Sequence, residues 1–293
     1  MPWIPRGLRS GIVTSRYPRR ADGYGTGFRS VVVVDPRGGP VARMEEAARS
    51  CPTDAIAVED GRPRLDRGRC ILCGRCTELC PETFRFDPSF ETAAVRRESL
   101  VVPEVVEDDA MLRQAQSQVG QAVKMLRRSV HIRHVDAGSD GADEWEVAAL
   151  TNPVYDVQRL GIYFTASPRH ADLLLVTGVG TPGMMGPLRE TYDVMPEPKV
   201  VIAAGVDATS GGLVGSGYAS LGGIGDLLPV DVFVPGSPPT PFGLLYAILL
   251  AIGRLPKRSP QDSDGRTRGD RRDGRRDDRT PPALERHPGG GGT

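Results

Sequence analysis

The sequence predicts an α+β domain with clustered cysteines, then an α/β domain with a small parallel sheet, then a disordered tail. Two observations predict the domains. All five cysteines of the 293 residues lie between Cys51 and Cys80, among short strand-like and helix-like segments. From His131 to Leu255, apolar runs typical of strands buried on both faces alternate with helical segments. Beyond Pro256, charged residues, glycine and proline leave little to bury, which predicts disorder.

Composition limits the partners and the compartment. The 37 basic residues balance the 37 acidic ones, so no overall field favours nucleic acid. The longest apolar run, from Phe242 to Ile252, is about half the length of a membrane-spanning helix. The N-terminus lacks the apolar region of a signal peptide. We therefore expect a cytoplasmic protein, and in a reducing compartment clustered cysteines indicate a metal site rather than disulfides.

The N-terminal half divides into three predicted parts. Residues 1–27 form a basic arm with scattered apolar residues, either flexible or docked on a membrane surface or a partner groove. Residues 28–100 form a small domain, and residues 101–130 form a linker helix whose apolar stripe lies within 106–128. The small domain is predicted to contain a strand at 28–35, a helix at 41–50, a hairpin at 56–65 turning at Asp60-Gly61, a short helix after the cysteine run and a strand near 92–96.

The second half, residues 131–256, is predicted to be the α/β domain. Its four clearest strands lie at 161–164, 172–177, 199–204 and 231–234. Its covering helices are predicted at 187–195 and 241–254. Residues 257–293 form the tail that we expect to be disordered.

The cysteine spacing is the strongest motif. Four cysteines and a proline follow the C-x2-C-x2-C-x3-C-P run of bacterial-type ferredoxins: Cys70, Cys73, Cys76, Cys80 and Pro81. In two-cluster ferredoxins the fourth cysteine of each run reaches across to the other cluster, and the matching upstream pair here is Cys51-Pro52. The sequence therefore predicts a ferredoxin-like domain with one [4Fe–4S] cluster on four ligands: Cys51, Cys70, Cys73 and Cys76.

A second ferredoxin cluster is not expected. Counting back from Cys51, its three further ligands would fall on Val41, Met44 and Ala47, which we expect to fill the space with apolar side chains. Cys80 then has no cluster to bind and becomes a small buried hydrophobe. The alternative for the surviving motif is zinc on four thiolates. Zinc sites usually show two C-x2-C pairs separated by a longer spacer, so the spacing favours iron–sulfur.

Several stretches of the second half carry a family resemblance. They include Asn152-Pro153-Val154-Tyr155-Asp156 and the segments 128–139, 168–172, 187–192, 195–199 and 229–239. This half resembles the small iron–sulfur subunit of respiratory complex I and of formate hydrogenlyase-type energy-converting [NiFe] hydrogenases. The first half is similar to the ferredoxin subunit of the same complexes. The resemblance implies a flavodoxin-like α/β fold, a fusion of two subunits, and docking on a large hydrogenase- or complex I-type catalytic subunit and on membrane subunits.

The family carries its own [4Fe–4S] cluster on four cysteines, and here those positions hold Asp140, Asp143, Asp207 and Ser237. The resemblance therefore implies that this second cluster is lost. Three aspartates and a serine could form an oxygen site for Mg²⁺, Ca²⁺ or Mn²⁺. Such sites normally need six or more ligands, so we favour the alternative that the aspartates are solvated or hydrogen-bond the loops.

A second motif is the G-x-G-x-x-G run of Gly178, Gly180 and Gly183, which follows a predicted strand, with Asp207 predicted at the end of the next strand. It matches a dinucleotide-binding turn. Pro182 and the family's use of this loop without a nucleotide favour a tight turn instead. The four histidines form no nucleophile–base set, so we predict no catalytic residue.

Together, these observations predict an iron–sulfur electron-transfer subunit of a membrane-associated oxidoreductase complex related to NADH-quinone oxidoreductase and formate hydrogenlyase. We expect it on the inner face of the cell membrane as a peripheral protein, without a nucleic-acid partner. Two alternatives stay open. The α/β half could be a redox-inactive scaffold in an assembly subunit, or the aspartates could bind a cation for non-redox chemistry.

Overall fold

The structure is a computed structural model that describes residues 3–20, 24, 27–103 and 129–255. The first part of the chain contains three helices and five strands within these ranges: α1 (Trp3–Ser10), β1 (Val31–Val34), α2 (Val41–Ser50), β2 (Ile56–Glu59), β3 (Arg62–Asp66), α3 (Arg75–Leu79), β4 (Phe84–Asp87) and β5 (Val101–Val102). Strands β1 and β4 pair antiparallel, and β2, β3 and β5 form a second antiparallel sheet. These two small sheets and α2 enclose the cysteine segment.

Local signals predicted two of these elements well. Helix α2 has the predicted bounds of 41–50. The hairpin of β2 and β3 turns at Asp60 and Gly61, whose φ angles of 50° and 74° are both left-handed. Two successive left-handed residues form the type I′ turn that matches the twist of a hairpin, and an Asp-Gly pair favours it. The predicted hairpin is confirmed.

Two predictions in this region were wrong. The short helix does not follow the cysteine run but lies inside it, because α3 begins at Arg75 and includes Cys76. No strand forms at 92–96, and the strand that follows the cysteine run lies instead at 84–87, where Phe84 is buried in the core. In the segment 92–96, Ala94 makes only an isolated bridge to Phe233 of the second half.

The second half folds around a parallel sheet of five strands: β6 (Val130–Asp136), β7 (Ile162–Phe164), β8 (Leu173–Thr177), β9 (Val200–Ala204) and β12 (Val232–Val234). The order across the sheet is β12-β9-β8-β6-β7, and every pair is parallel. This is the 2-1-3-4-5 order of flavodoxin-like folds. The predicted fold class is confirmed for the described residues.

Four helices and a small hairpin complete the second half: α4 (Ala142–Ala149), α5 (Pro182–Asp193), α6 (Gly205–Ser210), the strands β10 (Ser216–Gly217) and β11 (Ser220–Leu221), and α7 (Pro241–Ala251). Helix α5 begins five residues before the predicted start, since Pro182 rather than Pro187 occupies its first turn. Proline is favoured at the first helical position because its missing N–H has no partner there. The predicted strands also omitted β6, which lies inside the sheet, and the predicted helices omitted α4.

The core of the second half is centred on α7, all of whose residues are buried. Helix α7 packs on the strands with Phe242 in contact with the rings of Tyr17, Phe90 and Tyr155. The N-terminal segment is tied to the same core, since Ser15 N donates to Val154 O at 2.8 Å. Part of the predicted arm therefore lies on the protein.

The predicted linker helix at 106–128 and the predicted tail at 257–293 lie outside the described residues. The remainder, up to Pro256, forms one compact unit. Among the helices that the structure describes, none has the length and apolarity to span a membrane.

Candidate metal centre

Four cysteines from three parts of the chain line one cavity. Cys51 directly follows α2, Cys70 and Cys73 lie in the loop after β3, and Cys76 lies on α3. The other lining residues are mainly apolar and come from β1, α2, β2, β3 and the cysteine loop: Val32, Ala47, Pro52, Ala55, Ile56, Leu65 and Ile71. The fold therefore brings the four predicted ligands to the same apolar space.

Two residues of the cysteine loop have left-handed φ angles, which let the loop direct its cysteines into the cavity. Leu72 has φ +56° and Gly74 has φ +81°. A left-handed leucine is sparsely populated and costs about 1–3 kcal/mol, so such residues cluster where a ligand or a function constrains the chain. A side chain at Gly74 would lie 3.3 Å from the ring of Phe86, so glycine also permits close packing there. The reversal at Gly74 starts α3 immediately and turns Cys76 back toward the cavity.

The four thiols differ in exposure. Cys76 is buried, Cys51 and Cys70 are half-buried, and Cys73 is exposed. Burial, with smaller contributions from the neighbouring cysteines, raises the pKa of Cys70 to about 11 and the pKa of Cys76 to about 12. Without a metal these two thiols hold their protons at neutral pH. Metal ligands must be thiolates, so loading the cavity releases protons and is favoured by higher pH.

Hydrogen-bond donors face the sulfur atoms. Ala55 N donates to Cys51 Sγ at 3.3 Å. The backbone N–H groups of Leu72 and Thr77 donate to Cys70 and Cys76 and lower the pKa of each thiol against the effect of burial. Such donors stabilise negative charge on sulfur and tune the reduction potential of iron–sulfur clusters. Four convergent thiols, an apolar wall and N–H donors to sulfur fit a [4Fe–4S] cluster.

Within the described ranges, no group of three or more His, Cys, Asp or Glu side chains is arranged to hold one metal ion. A cubane cluster differs from a single ion because each of its four irons takes a thiolate at its own corner.

Cys80 lies outside this cavity, as predicted. It is fully buried and donates its S–H to Thr83 Oγ1 at 3.1 Å. Of the three residues that replace the ligands of a second ferredoxin cluster, Met44 and Ala47 are buried as predicted, but Val41 is 43% exposed. The prediction for Val41 was wrong because the first turn of α2 projects beyond the core.

The four residues predicted to replace the family's cluster ligands, together called the replaced cluster position, lie near the carboxyl ends of the parallel strands. Asp140 and Asp143 flank the start of α4, Asp207 lies in the first turn of α6, and Ser237 follows β12. Asp207 is thus on a helix, three residues beyond the predicted strand end. Asp143 Oδ2 lies against Gly205, where an added Cβ would approach it to 2.4 Å. The loops therefore still converge, although none of the residues is a cysteine.

These loops hold together because Val206 N donates to Gly236 O at 2.9 Å, which brings the segment before Ser237 onto α6. Asp143 is buried, whereas Asp140 is exposed and Asp207 is half-buried. Burial, and then the neighbouring Asp207, raise the pKa of Asp143 to about 8. Burial, and then Asp140, also raise the pKa of Asp207 above its usual range.

Glu144 also belongs to this group of acidic side chains, although the sequence motifs did not predict it there. Glu144 Oε1 accepts a hydrogen bond from Thr177 Oγ1 and lies 4.0 Å from His134 Nε2, while its Oε2 accepts from Ser139 Oγ at 2.7 Å. Burial lowers the pKa of His134, so this imidazole is neutral at pH 7. The only signal for Glu144 in the sequence was its place beside Asp143.

Other backbone segments of the chain occupy the space beside two glycines of the run after β8. A side chain at Gly178 would lie 2.6 Å from the backbone carbon of Gly138, and one at Gly180 would lie 2.7 Å from Gly223 O. In a dinucleotide-binding turn, the second glycine instead lets the backbone approach the pyrophosphate. The geometry favours the tight-turn interpretation over the nucleotide-binding one.

The cysteine loop and the replaced cluster position are directly connected. Ser210 Oγ, at the end of α6, donates to Gly68 O at 2.7 Å, and Gly68 lies two residues before Cys70. Ala94 and Phe233 exchange two backbone hydrogen bonds of 2.9 and 2.7 Å. The helix that carries Asp207 therefore contacts the loop that carries two of the four candidate ligands.

Comparisons with known proteins agree with this arrangement. A family model described as "NADH ubiquinone oxidoreductase, 20 Kd subunit" matches residues 141–251. A model described as "4Fe-4S single cluster domain of Ferredoxin I" matches residues 65–122. The two models thus fall on the α/β half and on the segment that carries the cysteine run.

Two curated relatives match the second half. Formate hydrogenlyase subunit 7 of Escherichia coli (strain K12) is 39% identical over 136 residues, which cover 46% of this chain and 53% of that protein. The chain thus spans about half the length of this relative. The probable membrane-bound hydrogenase subunit mbhJ of Pyrococcus furiosus is 37% identical over 142 residues, covering 48% of this chain and 85% of that protein.

Among solved structures, one chain of the membrane-bound sulfane sulfur reductase, an archaeal respiratory membrane complex, matches with 32% identity and a TM-score of 0.38. The match covers 45% of this chain and 71% of that chain.

Proposed function

The chain belongs to the family of the 20 Kd subunit of NADH ubiquinone oxidoreductase, and we propose that it is an iron–sulfur electron-transfer subunit of a membrane-associated oxidoreductase complex. One observation carries the proposal: Cys51, Cys70, Cys73 and Cys76 line one apolar cavity, and the last three of them lie in a segment that matches single-cluster ferredoxin domains. A bound [4Fe–4S] cluster would supply one-electron oxidation and reduction at this cavity.

The residues of the chain have distinct parts in this function. The four cysteines hold the iron, and the apolar residues from β1, α2 and the hairpin exclude water from it. The N–H groups of Ala55, Leu72 and Thr77 stabilise negative charge on three of the sulfurs. Cys73 is the exposed ligand, so its side of the cavity is where a redox partner can approach most closely.

The second half acts as the docking domain in this proposal. Its relatives are named as a subunit of formate hydrogenlyase and as a probable subunit of a membrane-bound hydrogenase. By analogy, the partners are a large hydrogenase- or complex I-type catalytic subunit and the membrane subunits of the same complex. The chain would then be peripheral on the inner face of the membrane. In this scheme residues 28–100 form the redox domain and residues 131–256 the docking domain.

A scaffold function is the second candidate, and the replaced cluster position favours it for the α/β half. Asp140, Asp143, Asp207 and Ser237 offer no thiolate where the family's cluster is held. In this version the chain as a whole takes no part in electron transfer and only assembles the complex. The two candidates differ in whether iron is present on the ferredoxin-like half.

The test is to measure iron and acid-labile sulfide on the anaerobically purified full chain, with EPR after reduction by dithionite. We expect four irons per chain and a single EPR signal. Cys73→Ser should abolish the signal and most of the iron. Cys80→Ser is the matched control, because Cys80 is buried away from the cavity, and it should keep both.

Each other outcome has a definite meaning. Eight irons per chain would contradict the single cluster and would require ligands other than cysteine in the second half. A folded chain without iron after anaerobic reconstitution would eliminate the electron-transfer proposal and leave the scaffold. Loss of the signal in Cys80→Ser, with the fold retained, would show that the ligand set is wrong.

A further inference from the structure

The replaced cluster position contains a buried carboxyl group, one of whose oxygen atoms has no hydrogen-bond partner among the described residues. Asp143 is 4% exposed, and its Oδ2 atom is buried without a hydrogen-bond partner among the described residues. The same oxygen lies against Gly205 of α6, where only a glycine leaves room for it. Ionised carboxylates are strongly destabilised in such surroundings unless a cation or N–H donors compensate, so the group binds a proton instead.

The charges around Asp143 also favour the proton. On its own helix, Glu144 is the nearest acidic neighbour, and the loop before α4 adds Asp136 and Asp140. From the facing helix α6, Asp207 makes the largest electrostatic contribution. All four groups are carboxylates, and like charges disfavour ionisation of a neighbour.

No cation faces this carboxyl group in the described part of the chain. On β6, His134 is engaged with Glu144 and is neutral at pH 7, while Arg133 affects that histidine rather than Asp143. The ends of β8 and β12 contribute Thr177 and Ser237, which carry no charge. The loop at 211–225 contains no Asp, Glu, His, Lys or Arg.

The start of α4 is the one feature that opposes protonation. A helix N-terminus stabilises negative charge in its first turn, and Asp143 lies there. However, Asp143 Oδ2 receives no N–H donor from that turn. By contrast, Asp140 Oδ1 accepts from Ala142 N at 2.9 Å. The helix terminus therefore solvates the exposed aspartate rather than the buried one.

We propose that the replaced cluster position is a proton-binding site, in which Asp143 is a neutral carboxylic acid at neutral pH and ionises reversibly as the solution becomes mildly alkaline. The proton takes the place of the metal that the family binds between these loops. Burial and Asp207 raise the pKa of Asp143 to about 8, which agrees with this geometry. The site does not depend on whether the cysteine cavity holds iron.

The proton has a consequence for stability. The folded chain keeps this proton up to about pH 8, whereas an aspartate in the unfolded chain loses it near its usual pKa of 3.8. Between these values the folded state binds more protons than the unfolded state, so this group makes the protein less stable as pH rises. Ionisation of Asp143 would place a negative charge beside Asp207, and electrostatic repulsion between the two carboxylates would then favour separation of α4 from α6.

The test uses the full-length protein, as purified, with carbonyl-labelled aspartate and infrared spectroscopy between about pH 6 and about pH 9.5. We expect the carbonyl band of a protonated aspartic acid at the lower pH, which disappears with a midpoint near 8. Asp143→Asn should lack this band. Asp140→Asn is the matched control, because it removes the same charge from an exposed neighbour, and it should keep the band.

If Asp143→Asn does not fold, a second variant still tests the proposal. Asp207→Asn removes the strongest neighbouring charge, so it should keep the band and lower its midpoint. If the wild-type spectrum at about pH 6 lacked the carbonyl band of a protonated aspartic acid, the proposal would be overturned. A band that persists in folded Asp143→Asn would also overturn it, because the proton would then lie on another residue.

Discussion

At the scale of single residues, one ion pair supports the loop that leads into the cysteine run. The Arg97 guanidinium donates to both oxygens of Asp66, at 2.8 and 2.7 Å, and Asp66 Oδ1 also accepts from Gly68 N at 2.9 Å. A side chain at Gly68 would lie 2.7 Å from the Arg97 guanidinium carbon, so the loop backbone lies directly on this group. The pair thus orders the backbone just before Cys70.

We therefore expect Arg97→Gln to lower the free energy of unfolding by about 1–3 kcal/mol, the range for a lost charged hydrogen bond. The cysteine loop should also lose iron faster when the protein is heated. Arg96→Gln is the control, because its contact with Glu98 is exposed and 3.8 Å long. Urea titration and iron release would measure both effects, and equal behaviour of the two variants would disprove the role of Arg97.

The candidate ligands could be predicted at this scale because thiolate spacing around a cluster is a local property of the chain. The burial of Asp143 could not be predicted in the same way. It depends on Gly205 of α6 and on the loop before α4, which the sequence separates by more than sixty residues. No pattern within α4 distinguishes Asp143 from the exposed Asp140.

At the scale of elements, the turn after β8 is where the backbones of three loops come into close contact, and we call this contact the junction. Gly178 lies on the backbone of Gly138 and Gly180 on Gly223, while an added side chain at Gly183 would meet no atom within 4 Å. The first two glycines are therefore needed for close approach of backbones, and the third is not. This division differs from a nucleotide-binding turn, in which the third glycine serves close helix–strand packing.

We expect Gly178→Ala to destabilise the protein by at least about 1 kcal/mol, because φ is +85° there and the new Cβ would meet backbone. Gly183→Ala should be neutral or should stabilise α5 by up to about 1 kcal/mol, since alanine is the better helix former. Chemical denaturation of both variants measures the difference. A neutral Gly178→Ala would contradict the junction.

The elements with strong local signals were the ones that the sequence predicted correctly. Helix α2 and the Asp60-Gly61 hairpin have helical spacing and turn chemistry of their own. Strand β4 was missed because it is a four-residue strand whose partner, β1, is fifty residues earlier. The start of α5 was misplaced because Pro182 and Pro187 both resemble a first-turn proline.

At the scale of the whole molecule, an aromatic cluster joins the two halves. Phe242 of α7 lies 6.0 Å from Tyr17, 5.0 Å from Phe90 and 4.8 Å from Tyr155 between ring centroids. These residues come from the N-terminal segment, from the end of the ferredoxin-like half and from the α/β half. The sequence predicted two domains and a linker, but side-chain packing between residues so distant in the chain has no local signal.

Phe242→Ala should therefore cost about 3–5 kcal/mol, the usual loss for a buried phenylalanine. Because the ring contacts both halves, the midpoints of helix loss and of iron release should fall together on heating. Tyr218→Ala is the control, since Tyr218 is fully exposed, and it should change stability by less than about 0.5 kcal/mol. Circular dichroism and cluster absorbance would follow the two transitions. A shift in only one midpoint would show that the halves unfold independently.

The position of Phe242 near the end of the described chain also affects the order of events during synthesis. The ribosome makes the cysteine segment long before α7, and domains generally fold from the N-terminus as they emerge. Until α7 emerges, Tyr17, Phe28 and Phe90 lack the ring that they contact in the finished protein. The nascent chain therefore carries its thiols while an aromatic surface is still uncovered, and any factor that delivers iron at that stage meets an incomplete protein.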